Sequence, residues 1–225
     1  MDKKKYIDVL STQAEKNNRP QELALSDFLD FAIELFSIEA FKGGRKGHEQ
    51  YMADVINKNP YYAGLVMLWL DDVAKAMNRG EWLDVFGILY EEMYLTRGKA
   101  SSTGQFFTPP SISDFMAKVI DTGKESGTVN DCACGSGRLL LAHYIEKSRT
   151  DHSAGRRFRY IAQDSDPMAC KMCALNFMAH GMYGEVICQN TLAMSVPSVA
   201  YYTNEVKYPI NTPYCSIRAV HNEKA

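Results

Sequence analysis

Residues Asp131–Leu140 read DCACGSGRLL. Two glycines, Gly135 and Gly137, stand one residue apart. A short strand-like piece, Thr128-Val129-Asn130, precedes them, and a helix-like run over Leu139–Lys147 follows. A strand that turns on glycines into a helix brings its backbone close to a ligand, because no Cβ stands in the way. The pattern then repeats. Arg159–Ala162 predicts a strand ending at Gln163-Asp164, Pro167–His180 a helix, and Glu185–Cys188 a third strand. Strand, helix, strand, helix, strand implies parallel pairing through crossover helices, an α/β fold.

The glycine spacing narrows the ligand. Dinucleotide binders place a third glycine three residues after the second, for close helix packing. Here that position is Leu140, with the bulky Arg138 and Leu139 before it, which disfavours a nicotinamide or flavin dinucleotide. No Gly-Lys-Ser/Thr follows, so a phosphate-binding P-loop is excluded. An acid at the end of the second strand is the usual acceptor for ribose hydroxyls, and Asp164 stands there. A surface turn or a helix cap is the other reading of Asp164, since Asp166-Pro167 opens the next helix.

Upstream the pattern is helical. Phe28, Ala32, Leu35 and Phe36 fall on one face of a helix expected within Glu22–Phe41, and Lys42–Gly47 breaks it. Tyr61–Met77 predicts a second helix, ended by Asn78-Arg79-Gly80, and Trp82–Leu95 a third with Gly98 as its cap. Ser111 and Asp114 are spaced as a capping box for a helix through Ile120. The chain is therefore divided into a helical N-terminal domain, 1–100, and an α/β domain, 101–225.

The 225 residues are 46% hydrophobic and 11% aromatic, as in a globular protein. The net charge of −2 excludes a strong basic field, so nucleic acid would be met through a local patch or a more basic partner. No run of about 18 apolar residues is present for a membrane span, and the start MDKKKYIDVL has no signal-peptide pattern. A reducing cytoplasm with six free thiols is expected. Only Cys170-x-x-Cys173 has the spacing of a zinc knuckle, and it lies in a helical pattern, so buried thiols rather than a metal site are expected. His143 and His180 read as packing or capping residues, and Lys3-Lys4-Lys5 and Arg156-Arg157 as solvated charge.

The segments Gly104–Pro110 (with Phe107-Thr108-Pro109), Asp131–Ala142 and Ala162–Met182 together resemble the N6-adenine DNA methyltransferases. Within these the chain is most similar to the modification subunit of type I restriction–modification systems. Asp84–Leu95, DVFGILYEEMYL, resembles the last helix of that family's N-terminal domain. The resemblance implies a Rossmann-like methyltransferase sheet, here incomplete, and S-adenosylmethionine (SAM) as cofactor. Phe107, Thr108 and Pro109 would lie over its methionine end. Asp131, Gly135 and Gly137 would line the amino-acid part, Asp131 accepting from the ammonium, and Asp164 would hold the ribose. Asn190 stands where active members carry an acid toward the adenine of the cofactor; it can pair with an amine but brings no charge.

The family's catalytic signature is Asn/Asp-Pro-Pro-aromatic, in which carbonyl oxygens accept from the target amine and the aromatic stacks on a flipped base. Asn211-Thr212-Pro213-Tyr214 keeps Asn211, Pro213 and Tyr214 but has Thr212 for the first proline, losing its fixed φ. The lead-in, Thr203–Ile210, alternates and contains Pro209, which suits a central strand poorly. A turn is the other reading of this stretch. By resemblance the chain is a DNA adenine-N6 methyltransferase subunit, meeting DNA through a partner specificity subunit, with hetero- and homo-oligomers both open. The competing readings are a SAM-binding pseudoenzyme and an RNA or protein N-methyltransferase.

Overall fold

The computed structural model describes every residue except 42–43, 95–106, 121–122, 150, 152–153, 206–214 and 223–225. Eight α-helices and five strands lie among the described residues. The helices are α1 (Lys3–Lys16), α2 (Gln21–Leu35), α3 (Gly44–Lys58), α4 (Pro60–Met77), α5 (Val85–Tyr90), α6 (Pro110–Val119), α7 (Arg138–Ser148) and α8 (Pro167–Ala179). The strands are β1 (Gly127–Asp131), β2 (Phe158–Asp164), β3 (Gly184–Cys188), β4 (Val199–Thr203) and β5 (Ile217–His221).

The sheet runs in chain order, β1-β2-β3-β4-β5. β1–β2 and β2–β3 are parallel, joined by α7 and α8, as the alternation of strand and helix predicts. β3–β4 and β4–β5 are antiparallel. Parallel register places Asp131 beside Ala162 and Asp164 beside Cys188, so the carboxyl ends of the first three strands form one rim. β1 pairs only with β2 among the described residues, and its Thr128 and Asn130 are exposed.

Local sequence explains the element ends. Asp166 caps α8 by accepting from the N–H groups of Met168 and Ala169, with Pro167 in the first turn. Asn59 and Pro60 do the same for α4, Asn59 accepting from Tyr62 N–H. Some expected boundaries shift. The helix expected through Phe41 stops at Leu35, and Ile38–Phe41 is a 3-10 turn. Within the expected break Lys42–Gly47, α3 already begins at Gly44. The third helix starts at Val85, not Trp82, because Asp84 is its N-cap. Ser111 and Asp114 do not form a capping box. α6 starts two residues earlier, its N-cap is Pro109, and Asp114 accepts instead from Trp82 Nε1 at 2.7 Å. Gly98 and the expected lead-in strand beyond Glu205 lie outside the described residues.

Helix α8 is apolar on nearly every side, the pattern of a helix enclosed by its own protein. Strands β2 and β3 cover one side and α2 another. A single hydrophobic core therefore runs from Tyr6 and Leu10 through Phe28, Trp69 and Phe86 to Tyr160, Phe177 and Ile217. Trp69 and Phe86 meet at 4.7 Å between ring centroids, and Phe28 lies 6.0 Å from Phe86. No described helix is long and apolar enough to cross a membrane.

Candidate functional site

The rim of the sheet is where the glycine loop sits. Asp131 ends β1 and accepts the Ala133 N–H through Oδ1 at 3.1 Å. Cys134 N–H reaches over to the Gln163 carbonyl at 2.9 Å. Gly135 and Gly137 have φ of +53° and +90°, the left-handed region that side chains avoid. Each glycine also faces a close neighbour. A Cβ on Gly135 would meet the Phe107 ring at 3.0 Å, and one on Gly137 the Cys173 Sγ at 2.8 Å. Both glycines are thus required for the turn itself, in addition to any ligand approach.

Asp164 does more than end β2. Its Oδ2 accepts from Gly135 N–H and its Oδ1 from Asp166 N–H, both at 2.9 Å. Asp164, expected from the sequence as a ribose acceptor, is thus seen as the anchor of the glycine loop. Asp131 differs: its Oδ2 is buried with no hydrogen-bond partner among the described residues. Burial pushes its carboxyl above the ordinary range; the Ala133 N–H opposes this and the nearby Asp164 charge adds to it. A half-buried carboxylate with an idle, buried oxygen suits a cationic N–H donor, and an α-ammonium group is one.

Arg138 ties Phe107-Thr108-Pro109 to this loop. Arg138, buried at the start of α7, donates from Nη1 to the Thr108 carbonyl at 3.2 Å and to Glu91 Oε1 at 2.8 Å. Its guanidinium lies 5.3 Å from the Phe107 ring centre. Pro109 becomes the N-cap of α6. Asn190 is exposed, and its side chain accepts from Ala193 N–H in its own turn. That turn reaches the loop through Thr191 Oγ1, which donates to the Cys132 carbonyl at 2.9 Å. Asn211, Pro213 and Tyr214 lie outside the described residues.

The cavity bounded by Phe107, Asp131, Gly135 and Arg138 measures about 40 Å³, room for a few waters. Larger cavities, about 290 and 370 Å³, lie between the helical part and the α6–α7 side. The smaller one holds Asp131 and the glycine loop at the strand ends, where ligands of parallel sheets bind. As it stands, with Phe107 beside Gly135, it is too small for a nucleoside-sized ligand.

Sequence reading missed a second set of residues behind the loop. Asp84, Ser136, Arg138 and Asn176 are all buried and hydrogen-bonded to one another. In sequence Asp84 falls inside the helix expected over Trp82–Leu95, and nothing near it in the chain points to residue 136 or 176. His180 is buried as expected of a capping residue. Its Nδ1 meets the Asn176 carbonyl at 2.7 Å, and its Nε2 accepts from Leu83 N–H at 3.2 Å. Accepting at Nε2 fixes the neutral ring with the proton on Nδ1, and burial lowers its pKa to about 4.

A family model described as N-6 DNA Methylase matches residues 81–216. The methylase subunit of the type I restriction enzyme MjaIX from Methanocaldococcus jannaschii is 31% identical over 105 residues, covering 46% of this chain and 18% of its own length. The MpnII methylase subunit of Mycoplasma pneumoniae is 32% identical over 106 residues, 44% of this chain and 18% of that subunit. The EcoEI methylase subunit of Escherichia coli is 28% identical over 105 residues, 44% of this chain and 21% of that subunit. The matches thus span about a fifth of these relatives.

Proposed function

The chain belongs to the N-6 DNA Methylase family, and from that premise we propose that it binds SAM at the glycine loop and serves as a type I-like methylase subunit acting on adenine N6 in DNA. The observation that carries the cofactor reading is the buried, unpartnered Oδ2 of Asp131 beside a loop held open in backbone conformation by two glycines. Asp131 would accept from the ammonium group of the amino-acid part. Asp164, which keeps a free lone pair on each oxygen after holding the loop, would accept from the ribose diol. Phe107 would move from Gly135 to cover the methionine end. A small neutral loop without a lysine suits a cofactor without phosphate.

SAM supplies an electrophilic methyl group on a sulfonium centre. The protein's part is to place the target nitrogen. In this proposal the Asn211 side-chain carbonyl accepts an N–H of the adenine amine, keeping the nitrogen lone pair aimed at the methyl, and Tyr214 stacks on the flipped base. Sequence preference and most phosphate contacts would come from a specificity-type partner chain, in keeping with a net charge of −2. Family membership supports this reading over a pseudoenzyme.

Calorimetric titration of SAM tests the cofactor site. Wild type should bind, and Asp164→Ala should weaken binding by about 1–3 kcal/mol, the loss of one charged hydrogen-bonding partner. Equal affinity in the two proteins would reject the assignment. Methyl transfer from labelled SAM to DNA, with and without a co-encoded specificity chain, then tests the activity, and no transfer under either condition would sink it.

A further inference from the structure

The three residues Gly135-Ser136-Gly137 are held from three directions. Asp164 takes the Gly135 N–H. The Ser136 hydroxyl donates to Asp84 Oδ2 at 2.5 Å, and the Ser136 carbonyl accepts from Asn176 Nδ2 at 2.9 Å. Cys173 backs Gly137. Asp84 is the centre of this arrangement. It is 1% exposed and accepts four hydrogen bonds: from Ser136, from Arg138 Nε at 2.7 Å, from Asn176 Nδ2 at 2.8 Å and from Gly87 N–H at 2.8 Å.

We propose that Asp84, from the helical part of the chain, is a positioning residue of the cofactor site: it sets the glycine loop directly through Ser136 and the Phe107–Pro109 segment through Arg138. The inference rests on the cofactor reading above and extends it to a residue that touches no ligand. Four donors converge on one carboxylate, which uses both its oxygens. An amide of the same shape offers one acceptor and one donor group, so it cannot satisfy them all. The Arg138 guanidinium would then lose its most buried counterion, and the Thr108 carbonyl that it holds would lose its fixed position. Gly87 is part of the same fit, because a Cβ there would fall 2.0 Å from Asp84 Oδ2.

The test compares the full chain with Asp84→Asn, Ser136→Ala and Leu29→Ala, the last a core change in α2 away from the loop. SAM affinity is read by calorimetry, folding by circular dichroism, and loop order by amide hydrogen exchange over residues 133–137 without ligand. The expected result is a folded Asp84→Asn whose affinity falls about tenfold to a hundredfold, the effect of losing one or two charge-assisted hydrogen bonds. Ser136→Ala should lose about threefold to tenfold. Loop exchange should quicken in both, while Leu29→Ala, though less stable, keeps wild-type affinity and loop exchange. Wild-type affinity and loop exchange in both loop-network variants would overturn the proposal. So would equal losses in Leu29→Ala, which would mark a general effect of stability. If Asp84→Asn does not fold, Ser136→Ala decides. If wild type binds no SAM, the cofactor reading fails by itself, and loop exchange still decides whether Asp84 holds the loop.

Discussion

Asp131 carries one oxygen that is satisfied and one that is not. Its carboxyl titrates above the ordinary Asp value of about 3.9 because burial favours the neutral form. A bound ammonium would favour the charged form, so binding should release a proton whenever Asp131 starts protonated. SAM affinity should therefore fall as pH drops through the raised pKa. Asp131→Asn should bind more weakly at neutral pH and lose that pH dependence. Titrations at several pH values check this, and a wild-type slope that survives the substitution would assign the proton elsewhere. Gly137 offers a second residue-scale expectation. Alanine there meets both a φ of +90° and the Cys173 sulfur, so Gly137→Ala should lower stability by more than about 1 kcal/mol. Thermal melts without ligand read it directly.

Helix α8 shows how an element joins the two parts of the molecule. Its N-terminus follows the rim acid Asp164 and its C-terminus ends at His180, which binds Leu83 N–H just before α5. The neutral ring is required there. Its pKa lies near 4 in the folded protein against 6.5 for the ordinary group, so the unfolded chain takes the proton first. Stability from this residue is full above the unfolded value and is lost as pH falls from there toward the folded one. The whole effect is about 3 kcal/mol, from the size of the shift. His180→Gln should start less stable at neutral pH and show a shallower acid loss in that window, read by denaturant melts at each pH. Helix α6 is a different case. It buries only the small Ser113 and Ala117 and leaves Ile112, Phe115 and Val119 exposed at 49%, 62% and 61%.

At the scale of the molecule, the core crosses the division near residue 100. α2 lies against α8, and β5 joins the helical part through the Ile217 N–H, which donates to the Phe36 carbonyl at 2.8 Å. Removing residues 1–80 would bare the apolar side of α8 that α2 covers. We expect the remaining chain to be poorly soluble and to bind a hydrophobic dye, because a helix apolar on nearly every side is ill suited to water. A soluble, cooperatively melting fragment would show instead that the α/β part folds alone.

Much of the fold was legible because its signals are local. Gly135 and Gly137 mark a turn at left-handed φ values that glycine adopts most readily, and Asp166-Pro167 marks a helix start. The run of strand, helix, strand, helix, strand also follows from neighbouring residues, and with it the placing of Asp131 and Asp164 on one rim. Caps, turns and periodicities act within a few residues, so the chain states them directly. The antiparallel return of β4 and β5, the packing of α2 on α8 and the use of Asp84 were decided by tertiary structure. Asp84 meets Ser136 across 52 positions of chain and Asn176 across 92. In sequence it falls inside the helix expected over Trp82–Leu95, and the structure makes it the cap of α5. Only the burial of four donors around it, where water cannot serve them, turns that cap into the centre of the site's support.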